Sequence, residues 1–305
     1  MIDEDFDPKK FINREFEQEL FEELLQLKDT SRILAIQDNG GMGKSQLLEK
    51  FKYRCRTIKP RTPVSLVKLD QLPGDSPLDL VNILVKDLSP RFDFSNFNRY
   101  ESARIFKDLS PIRAAIDLHK ATFNKAKDVT IAEVATHVDH ADTVNISPGS
   151  TEFSSDIDRK AKEVCLSAFF DDLKEHCANE RIVLMFDTYD KSSKNVKDWI
   201  EEQLLEQLFF DCENRPKQLI LVIAGREIPD FERRWSAEDY KATVRSVRAL
   251  GQWNKKHVEE CLLAFGFDYK PEDLDAFYRL VQRGLPPSDV VHLIISMVNA
   301  PFGRG

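Results

Sequence analysis

The residues that could do chemistry begin with a glycine-rich turn that leads into a lysine and a serine. The turn is Asp38-Asn-Gly-Gly-Met-Gly43, and Lys44 and Ser45 follow it directly. Glycines let the backbone take positive φ and approach a ligand closely, so that successive N–H groups can point at an anion. The pattern predicts a site for the phosphates of a nucleotide, with Lys44 on the β- and γ-phosphates and Ser45 on Mg²⁺.

The elements on either side of the turn are those that a phosphate-binding loop needs. Residues 33–36 form a short apolar run that predicts a buried strand, and Leu47, Leu48 and Phe51 predict one apolar face of a helix that starts at Lys44. Strand, turn and helix together match the P-loop motif. The residues that we expect to bind the nucleotide here are Asn39, Gly40, Gly41, Met42, Gly43, Lys44, Ser45 and Gln46.

The first position of this motif departs from the P-loop consensus. The consensus has glycine there, whereas this chain has Asp38. A carboxylate at this point would repel the phosphates unless it points away from them. The alternative interpretation is an ordinary glycine-rich turn before a helix that begins with Lys-Ser.

A second set of polar residues follows another apolar run. Residues 182–186 predict a strand covered on both faces, and the strand ends in Asp187. Because ligands of open α/β sheets bind at the carboxyl ends of strands, Asp187 is predicted to share Mg²⁺ with Ser45. Asp190 is predicted to orient or deprotonate the attacking water. Alternatively, Asp187 merely ends a buried strand and Asp190 caps a helix.

A third strand end carries a basic residue. Residues 218–225 are mostly apolar and are followed by Arg226. A guanidinium at this edge would stabilise the charge that develops on the γ-phosphate during transfer. The alternative is a local ion pair between Arg226 and Glu227.

Two further runs, residues 63–70 and 243–250, predict two more strands. The predicted fold is therefore α/β, a P-loop NTPase core with a central parallel five-stranded sheet flanked by helices, followed by a small helical lid domain. Helices are predicted in the lid at residues 254–265, 271–282 and 287–298.

The predicted domains follow from these elements. Residues 1–30 form an N-terminal segment and helix on the adenine side, residues 31–250 the core, and residues 251–305 the lid. The core is predicted to hold a flexible insertion at about residues 127–156, which is rich in Thr, Ser, Asp, Pro and Gly. His137, Asp139 and His140 lie in that insertion, but three ligands so close together in a loop make a poor metal site.

The N-terminal segment has two interpretations. Phe11 and Ile12 precede a helical pattern and would pack near the adenine, since the first strand of the core begins just after this helix. The simpler interpretation is an amphipathic helix capped by Asn13.

Composition limits the class of protein. The chain has 305 residues, 42% of them hydrophobic, and its 52 acidic residues exceed its 44 basic ones, for a net charge of −8. The acidic balance argues against a constitutive nucleic-acid binder. The sequence has neither a transmembrane run nor a signal peptide, so a cytoplasmic protein is expected. Its scattered cysteines predict reduced thiols in the core: Cys55, Cys165, Cys177, Cys212 and Cys261.

The motifs in their order resemble those of the STAND class of P-loop NTPases. The motifs are Phe-Ile-Asn-Arg-Glu at residue 11, Asp-Asn-Gly-Gly-Met-Gly-Lys-Ser at 38, Val-Leu-Met-Phe-Asp-Thr-Tyr-Asp at 183, Val-Ile-Ala-Gly-Arg at 222 and Gly-Leu-Pro at 284. The STAND class includes the NB-ARC and NACHT ATPases of immune and signalling switches. The resemblance spans residues 11 to about 298.

The resemblance implies a role for particular residues. Lys44 and Ser45 would be the phosphate lysine and the Mg²⁺ ligand, and Asp187 the acid of the Mg²⁺ site. Asp190 would be the catalytic acid, and Arg226 the sensor of the γ-phosphate.

The resemblance also assigns Pro286, which would be the lid proline that packs against adenine. Three positions depart from the family pattern: Asp38, Asn13 in place of a usual glycine, and Asp190 in place of a common glutamate.

The resemblance further implies a function. The chain would bind ATP or ADP with Mg²⁺, hydrolyse ATP slowly and act as a molecular switch in signalling or defence, with a protein partner or through self-association. Because a winged-helix domain normally follows the lid in this class, we expect either a fragment of a larger protein or a minimal switch.

Two alternatives come from other classes of protein. One is a non-hydrolysing scaffold with permanently bound ADP. The other is an ATPase of the origin-recognition type that acts with DNA, for which Arg279 and Arg283 would be candidate lid arginines.

Overall fold

The computed structural model describes residues 6–28, 30–106, 155–210 and 215–299. Most of the predicted insertion, with His137, Asp139 and His140, lies outside these residues, as does Cys212. The chain divides into two compact units, one of residues 1–92 and 174–305 and the other of residues 93–173. Among the described residues, no helix is both long and apolar enough to cross a bilayer.

The first unit is built on a sheet of five parallel strands in the order β2-β3-β4-β1-β5. The strands are β1 (Arg32–Gln37), β2 (Val64–Lys68), β3 (Ile182–Asp187), β4 (Leu219–Gly225) and β5 (Val244–Val247). The predicted parallel five-stranded sheet is thus confirmed. Because β4 lies between β1 and β3, the residue after β4 lies between the glycine-rich loop and Asp187.

Helices follow the strands as the sequence pattern predicts. They are α1 (Glu15–Gln26), α2 (Lys44–Thr57), α3 (Pro77–Leu88), α4 (Ser95–Ile105), α5 (Ser155–Asn179), α6 (Lys194–Trp199), α7 (Phe231–Arg234), α8 (Ala237–Thr243), α9 (Lys255–Ala264), α10 (Pro271–Gln282) and α11 (Pro287–Asn299). Wider π-type turns at Ile200–Leu204 and Glu206–Phe210 extend α6.

One apolar core of the first unit lies between one face of the sheet and the helices α1 and α2. Strands β3 and β4 are buried along their whole length, as their continuous apolar sequences predict. Helix α2 presents Leu47, Leu48 and Phe51 to this core, and Phe21 of α1 stacks on Phe51 with ring centroids 4.1 Å apart.

A second apolar cluster joins the three C-terminal helices α9, α10 and α11. Its buried members are Trp253, Val258, Cys261, Leu262, Leu274, Phe277, Val281, Val290 and Ile294. The neighbouring residues Phe11 and Ile12 pack against different clusters, Phe11 against the sheet core and Ile12 against the helical cluster.

The unit of residues 93–173 has an aromatic core of its own. Phe94 and Phe97 are buried and contact Phe169 of α5, with ring centroids 6.1 and 6.4 Å away. The buried carboxylate of Asp172 accepts hydrogen bonds from the Phe97 N–H at 3.0 Å and from Asn96 Nδ2 at 2.7 Å. It thereby satisfies a backbone donor at the start of α4.

The start of α1 differs from the prediction that Asn13 caps it. The helix begins at Glu15, and Asn13 and Arg14 precede it with φ of 66° and 83°. The Asn13 side chain accepts the Arg14 N–H at 2.6 Å instead of an N–H inside the helix. Asparagine tolerates the left-handed region better than most residues, which explains why it can stand at this position.

The start of α9 carries a titratable cap. Asn254 and His257 form a reciprocal pair, in which the Asn254 N–H donates to His257 Nδ1 at 3.2 Å and the His257 N–H donates to Asn254 Oδ1 at 3.0 Å. Burial lowers the pKa of His257, and the cations Arg14 and Lys256 act in the same direction, against Glu15 and Glu260.

A pH-dependent stability follows from this lowered pKa. Between the folded and the unfolded pKa of His257, the unfolded chain binds more protons, so this contribution is present above about pH 6.5 and is lost as the pH falls below that value. We expect the wild type to lose more unfolding free energy than His257→Gln between pH 7.5 and 5.5, because glutamine keeps an acceptor without titrating. Urea denaturation at both pH values measures the difference. Equal losses in the two proteins would contradict the assignment.

Candidate functional site

The glycine-rich loop occupies the turn between β1 and α2. Gly41 and Gly43 have φ of 78° and 90°, which side chains rarely adopt, and Gly43 is the N-cap of the 14-residue helix α2. The free N–H groups at the start of α2 and the helix dipole therefore face the loop. The local geometry is that of an anion-binding helix start.

A cavity of about 280 Å³ opens over this loop at the carboxyl edge of the sheet. Its lining residues are Gly40, Gly41, Gly43, Lys44, Ser45, Gln46, Asp187, Thr188, Asp190, Lys191, Arg226 and Ser288. The structure thus brings together the four residues predicted to be catalytic, although they follow three different strands. The roles assigned to them stay predictions.

Lys44 is held beneath the loop. Its Nζ donates to the carbonyl oxygens of Asp38 and Asn39, at 2.6 and 2.7 Å. Burial lowers the pKa of Lys44, while the nearby carboxylates of Asp38, Asp190 and Asp187 act in the opposite direction. The surrounding acids thus favour the charged ammonium, the form that would bind phosphate oxygens.

Asp187 and Ser45 meet at the end of β3. Asp187 is 2% exposed and accepts hydrogen bonds from the Ser45 hydroxyl and, at 2.8 Å, from the Thr188 N–H. Burial raises the pKa of Asp187, and these two hydrogen bonds oppose that shift. A hydroxyl and a carboxylate in contact form an oxygen donor pair of the kind that Mg²⁺ prefers, so the residues present fit this ion.

Asp190 and Arg226 contact each other through the backbone. Asp190 Oδ1 accepts the Arg226 N–H at 2.8 Å, and the Arg226 guanidinium lies against the loop, where a Cβ on Gly40 would be 2.7 Å from its Nη2. A Cβ on Gly225 would lie 2.9 Å from Asp190 Oδ1, so glycine is needed for this close approach.

Both local alternatives for these residues are wrong. The N-cap of α6 is Ser193, whose Oγ accepts the Val196 N–H at 3.3 Å, and not Asp190. Among the residues that the structure describes, Arg226 and Glu227 do not form an ion pair.

A second cavity, of about 400 Å³, adjoins the first and shares Gly43, Gln46 and Ser288 with it. Its wall is largely apolar, and the apolar residues are Phe11, Ile12, Met42, Trp253, Phe265, Pro287, Val291 and Ile295. Phe11 and Ile12, which were predicted to pack near an adenine, both line this cavity, and that role stays a prediction. The polar loop of the first cavity and the apolar wall of the second therefore line one continuous depression.

Pro286 is placed beside this cavity and not among its lining residues. A Cβ on Gly41 would be 2.9 Å from Pro286 Cβ and 2.7 Å from Ser288 Oγ, so these residues at the start of α11 contact the loop directly. The Ser288 N–H donates to the Gly41 carbonyl at 3.1 Å. Ser288 was not predicted, because one serine after a proline pair carries no signal of its own.

Arg14 is a second residue that sequence reasoning missed. It is 4% exposed, and its guanidinium donates to the carbonyls of Gly251 at 2.6 Å and Met42 at 2.7 Å. Burial lowers the pKa of Arg14, opposed by Glu17, Asp38 and Glu15. The motif Phe-Ile-Asn-Arg-Glu contained Arg14, but backbone carbonyl partners leave no trace in a sequence.

Comparison with known proteins bears on the fold. No family model matches the sequence, and no curated protein matches it. Among solved structures, the Walker-type ATPase PABY2304 of Pyrococcus abyssi matches with a TM-score of 0.53 and 15% identity, over 98% of this chain and 71% of that one.

Two further solved structures match with lower scores. Cdc6p from Pyrobaculum aerophilum gives a TM-score of 0.48 at 8% identity, over 96% of this chain and 63% of that one. AMPPCP-bound DnaA from Aquifex aeolicus gives 0.43 at 13%, over 99% and 68%.

The fold and the glycine-rich loop together define the class: the chain has the α/β fold of a P-loop NTPase. The fold class predicted from the sequence is confirmed. The narrower resemblance to STAND ATPases stays a prediction.

Proposed function

We propose that this chain binds ATP with Mg²⁺, hydrolyses it slowly and works as a molecular switch of the STAND type. The observation that carries the proposal is the pair of adjoining cavities joined at Gly43, Gln46 and Ser288. One is lined by a phosphate loop with acidic and basic side chains, and the other by apolar residues suited to a base and its sugar. This division matches the two ends of a nucleoside triphosphate.

Five side chains of the phosphate-side cavity have a role in this proposal. Lys44 and the loop N–H groups bind the β- and γ-phosphates, and Ser45 and Asp187 hold Mg²⁺, which when bound neutralises phosphate charge. Asp190 orients the attacking water and accepts its proton. Arg226 stabilises the charge on the γ-phosphate, since its guanidinium already lies against Gly40.

The switch depends on the C-terminal helices, which provide part of the apolar wall. Trp253, Phe265 and Val291 come from this region, and Ser288 bonds to the loop itself. A ligand that binds one arrangement of lid and core better than another shifts the population towards it. A protein partner or a second copy of the chain would respond to that shift. The resemblance to STAND ATPases implies that the switch acts in signalling or defence.

The first experiment is nucleotide binding by the wild-type protein. The nucleotide content of the purified sample is measured after denaturation, and ATP and ADP are then titrated calorimetrically with and without Mg²⁺. Mg²⁺-dependent ATP binding with slow turnover supports the switch. ADP that cannot be exchanged, without turnover, supports the scaffold alternative. Failure to bind either nucleotide would contradict both.

The DNA-linked alternative predicts a different property. An ATPase that acts on duplex DNA should bind it with an affinity that falls steeply as salt rises. A titration of labelled duplex at 50 and 200 mM salt, with and without ATP, tests this directly. The net charge of −8 leads us to expect no such binding.

A further inference from the structure

Residues 250–251, which follow β5 and precede α9, are bonded by two side chains from distant parts of the chain. Asp38 Oδ2 accepts the Leu250 N–H at 2.7 Å, and Arg14 Nη1 donates to the Gly251 carbonyl at 2.6 Å. We call residues 250–251 the linker, because they connect the last strand of the sheet to the helical cluster. Leu250 itself is 2% exposed and belongs to the sheet core.

Both residues also bond to the phosphate loop, Arg14 through its side chain and Asp38 through its side chain and its backbone carbonyl. Arg14 Nη2 donates to the carbonyl of Met42 at 2.7 Å. The Asp38 carbonyl accepts Lys44 Nζ at 2.6 Å, and Asp38 Oδ1 accepts the Asn39 N–H at 2.6 Å. One charged residue therefore joins the linker to Met42, and the other joins it to the phosphate lysine.

The planar groups of Arg14 and Asp38 define the geometry of this contact. A guanidinium is a planar fork whose donors keep a fixed angle, so Arg14 sets the spacing between its two carbonyl partners. The carboxylate of Asp38 likewise has its two oxygens on two different N–H groups. Hydrogen bonds to charged groups are stronger than neutral ones, and a backbone donor left without its partner is costly.

We propose that Arg14 and Asp38 are positioning residues that couple the linker to the phosphate loop, so that the lid and the loop change conformation together. Asp38, the acid at the first position of the motif, then has a structural role. It holds the linker and is absent from the lining of the phosphate-side cavity. The consequence for nucleotide release rests on the proposed function. The coupling itself does not, because it is a property of the protein without ligand.

The rival interpretation is that these bonds only stabilise their own surroundings. The Ser288 amide separates the two interpretations, because it bonds to Gly41 and has no hydrogen bond with Arg14 or Asp38. If loop and linker move together, loss of Asp38 must also loosen the bond between Ser288 and Gly41. If the effect is local, only Leu250 and Asn39 should respond.

Hydrogen exchange on the ligand-free protein is the first test. Because Pro286 and Pro287 lack an amide, a peptide over residues 286–289 reports mainly Ser288 and Asp289. We expect Asp38→Ala to speed exchange in this peptide by about tenfold, since opening becomes more frequent when a charge-assisted hydrogen bond is lost. The matched control is Asp273→Ala, which removes a carboxylate that accepts the Lys270 N–H at 2.9 Å and does not bridge to the loop. The control should leave this peptide unchanged.

Release of a fluorescent ATP analogue is the second test. We expect about tenfold faster dissociation from Asp38→Ala and from Arg14→Lys, which keeps the charge but not the fork. Because both residues act on the same linker, the double variant should release the analogue more slowly than the product of the two single effects predicts. Asp273→Ala should behave as the wild type does.

The outcomes are distinct. Unchanged exchange at residues 286–289 in Asp38→Ala would overturn the coupling, as would single effects that multiply independently in the double variant. Faster exchange in a protein that binds no nucleotide would keep the coupling and refute the proposed function. If Asp38→Ala fails to fold, Asp38→Asn, which keeps an acceptor but loses the charge, is expected to show a smaller increase in the same direction, and no increase would overturn the proposal.

Discussion

Replacing Lys44 with alanine is expected to lower the affinity for ATP and ADP by at least about 100-fold. The ammonium of Lys44 lies within the loop, bonded to the carbonyls of Asp38 and Asn39, and it would exchange these for charge-assisted bonds to phosphate oxygens. Hydrogen bonds between charged groups are worth about 1.5–3 kcal/mol each, so the loss of two gives a change of this size. Isothermal titration calorimetry with both nucleotides measures it.

The matched control for this prediction is Lys52→Ala. Lys52 lies on the same helix α2, eight positions further on, and pairs with Glu49 at 3.6 Å, outside the two adjoining cavities. Its replacement should leave affinity unchanged. Circular dichroism must show that Lys44→Ala is folded, because the two loop carbonyls lose their donor. A folded Lys44→Ala protein with wild-type affinity would refute the loop as the phosphate site.

The second large effect is expected at Asp190. Replacement by alanine or by asparagine should lower the rate of ATP hydrolysis by about 100-fold or more, with ATP affinity within a few fold of the wild type. The reason is that neither residue can accept a proton from the attacking water. Single-turnover hydrolysis, together with calorimetric titration of ATP, measures the two effects separately.

The asparagine variant makes this prediction specific. Asp190 Oδ1 accepts the Arg226 N–H, and asparagine keeps an oxygen for that bond while losing the basic carboxylate. If Asp190 only positions Arg226, the Asp190→Asn variant should hydrolyse ATP almost as fast as the wild type, and the Asp190→Ala variant should not. Near-normal hydrolysis by the Asp190→Asn variant would therefore exclude Asp190 as the general base and leave it a structural role.

Local signals account for what could be predicted. Continuous apolar runs predict buried strands, and the residue after each run is placed at the carboxyl edge by the geometry of a parallel sheet. This rule predicts that Asp187, Arg226 and the nearby Asp190 lie at one edge of the sheet, and the structure has all three in one cavity with Lys44. The loop was evident because glycines in that pattern have few other uses.

The part of the site that the sequence did not predict depends on contacts between residues that are far apart in the chain. Asp38 and Leu250 are 212 positions apart, and Arg14 and Gly251 are 237 apart, with a backbone group as the partner in each case. A backbone N–H or carbonyl is the same in every residue, so composition and spacing give no information about such a partner. For the same reason, the departure at Asp38 was visible in the sequence, but the direction of its carboxylate was not.

The placement of Phe11 and Ile12 has a consequence for how the protein melts. Phe11 packs against the sheet core and Ile12 against the helical cluster. Ordering these two residues therefore adds contacts to both clusters at once. Two clusters that share a segment lose stability together, which favours one cooperative transition for this unit over separate ones. Replacing both residues with glycine should split that transition in a calorimetric scan. Phe11 and Ile12 would then be the residues that make the sheet core and the helical cluster unfold as one cooperative unit.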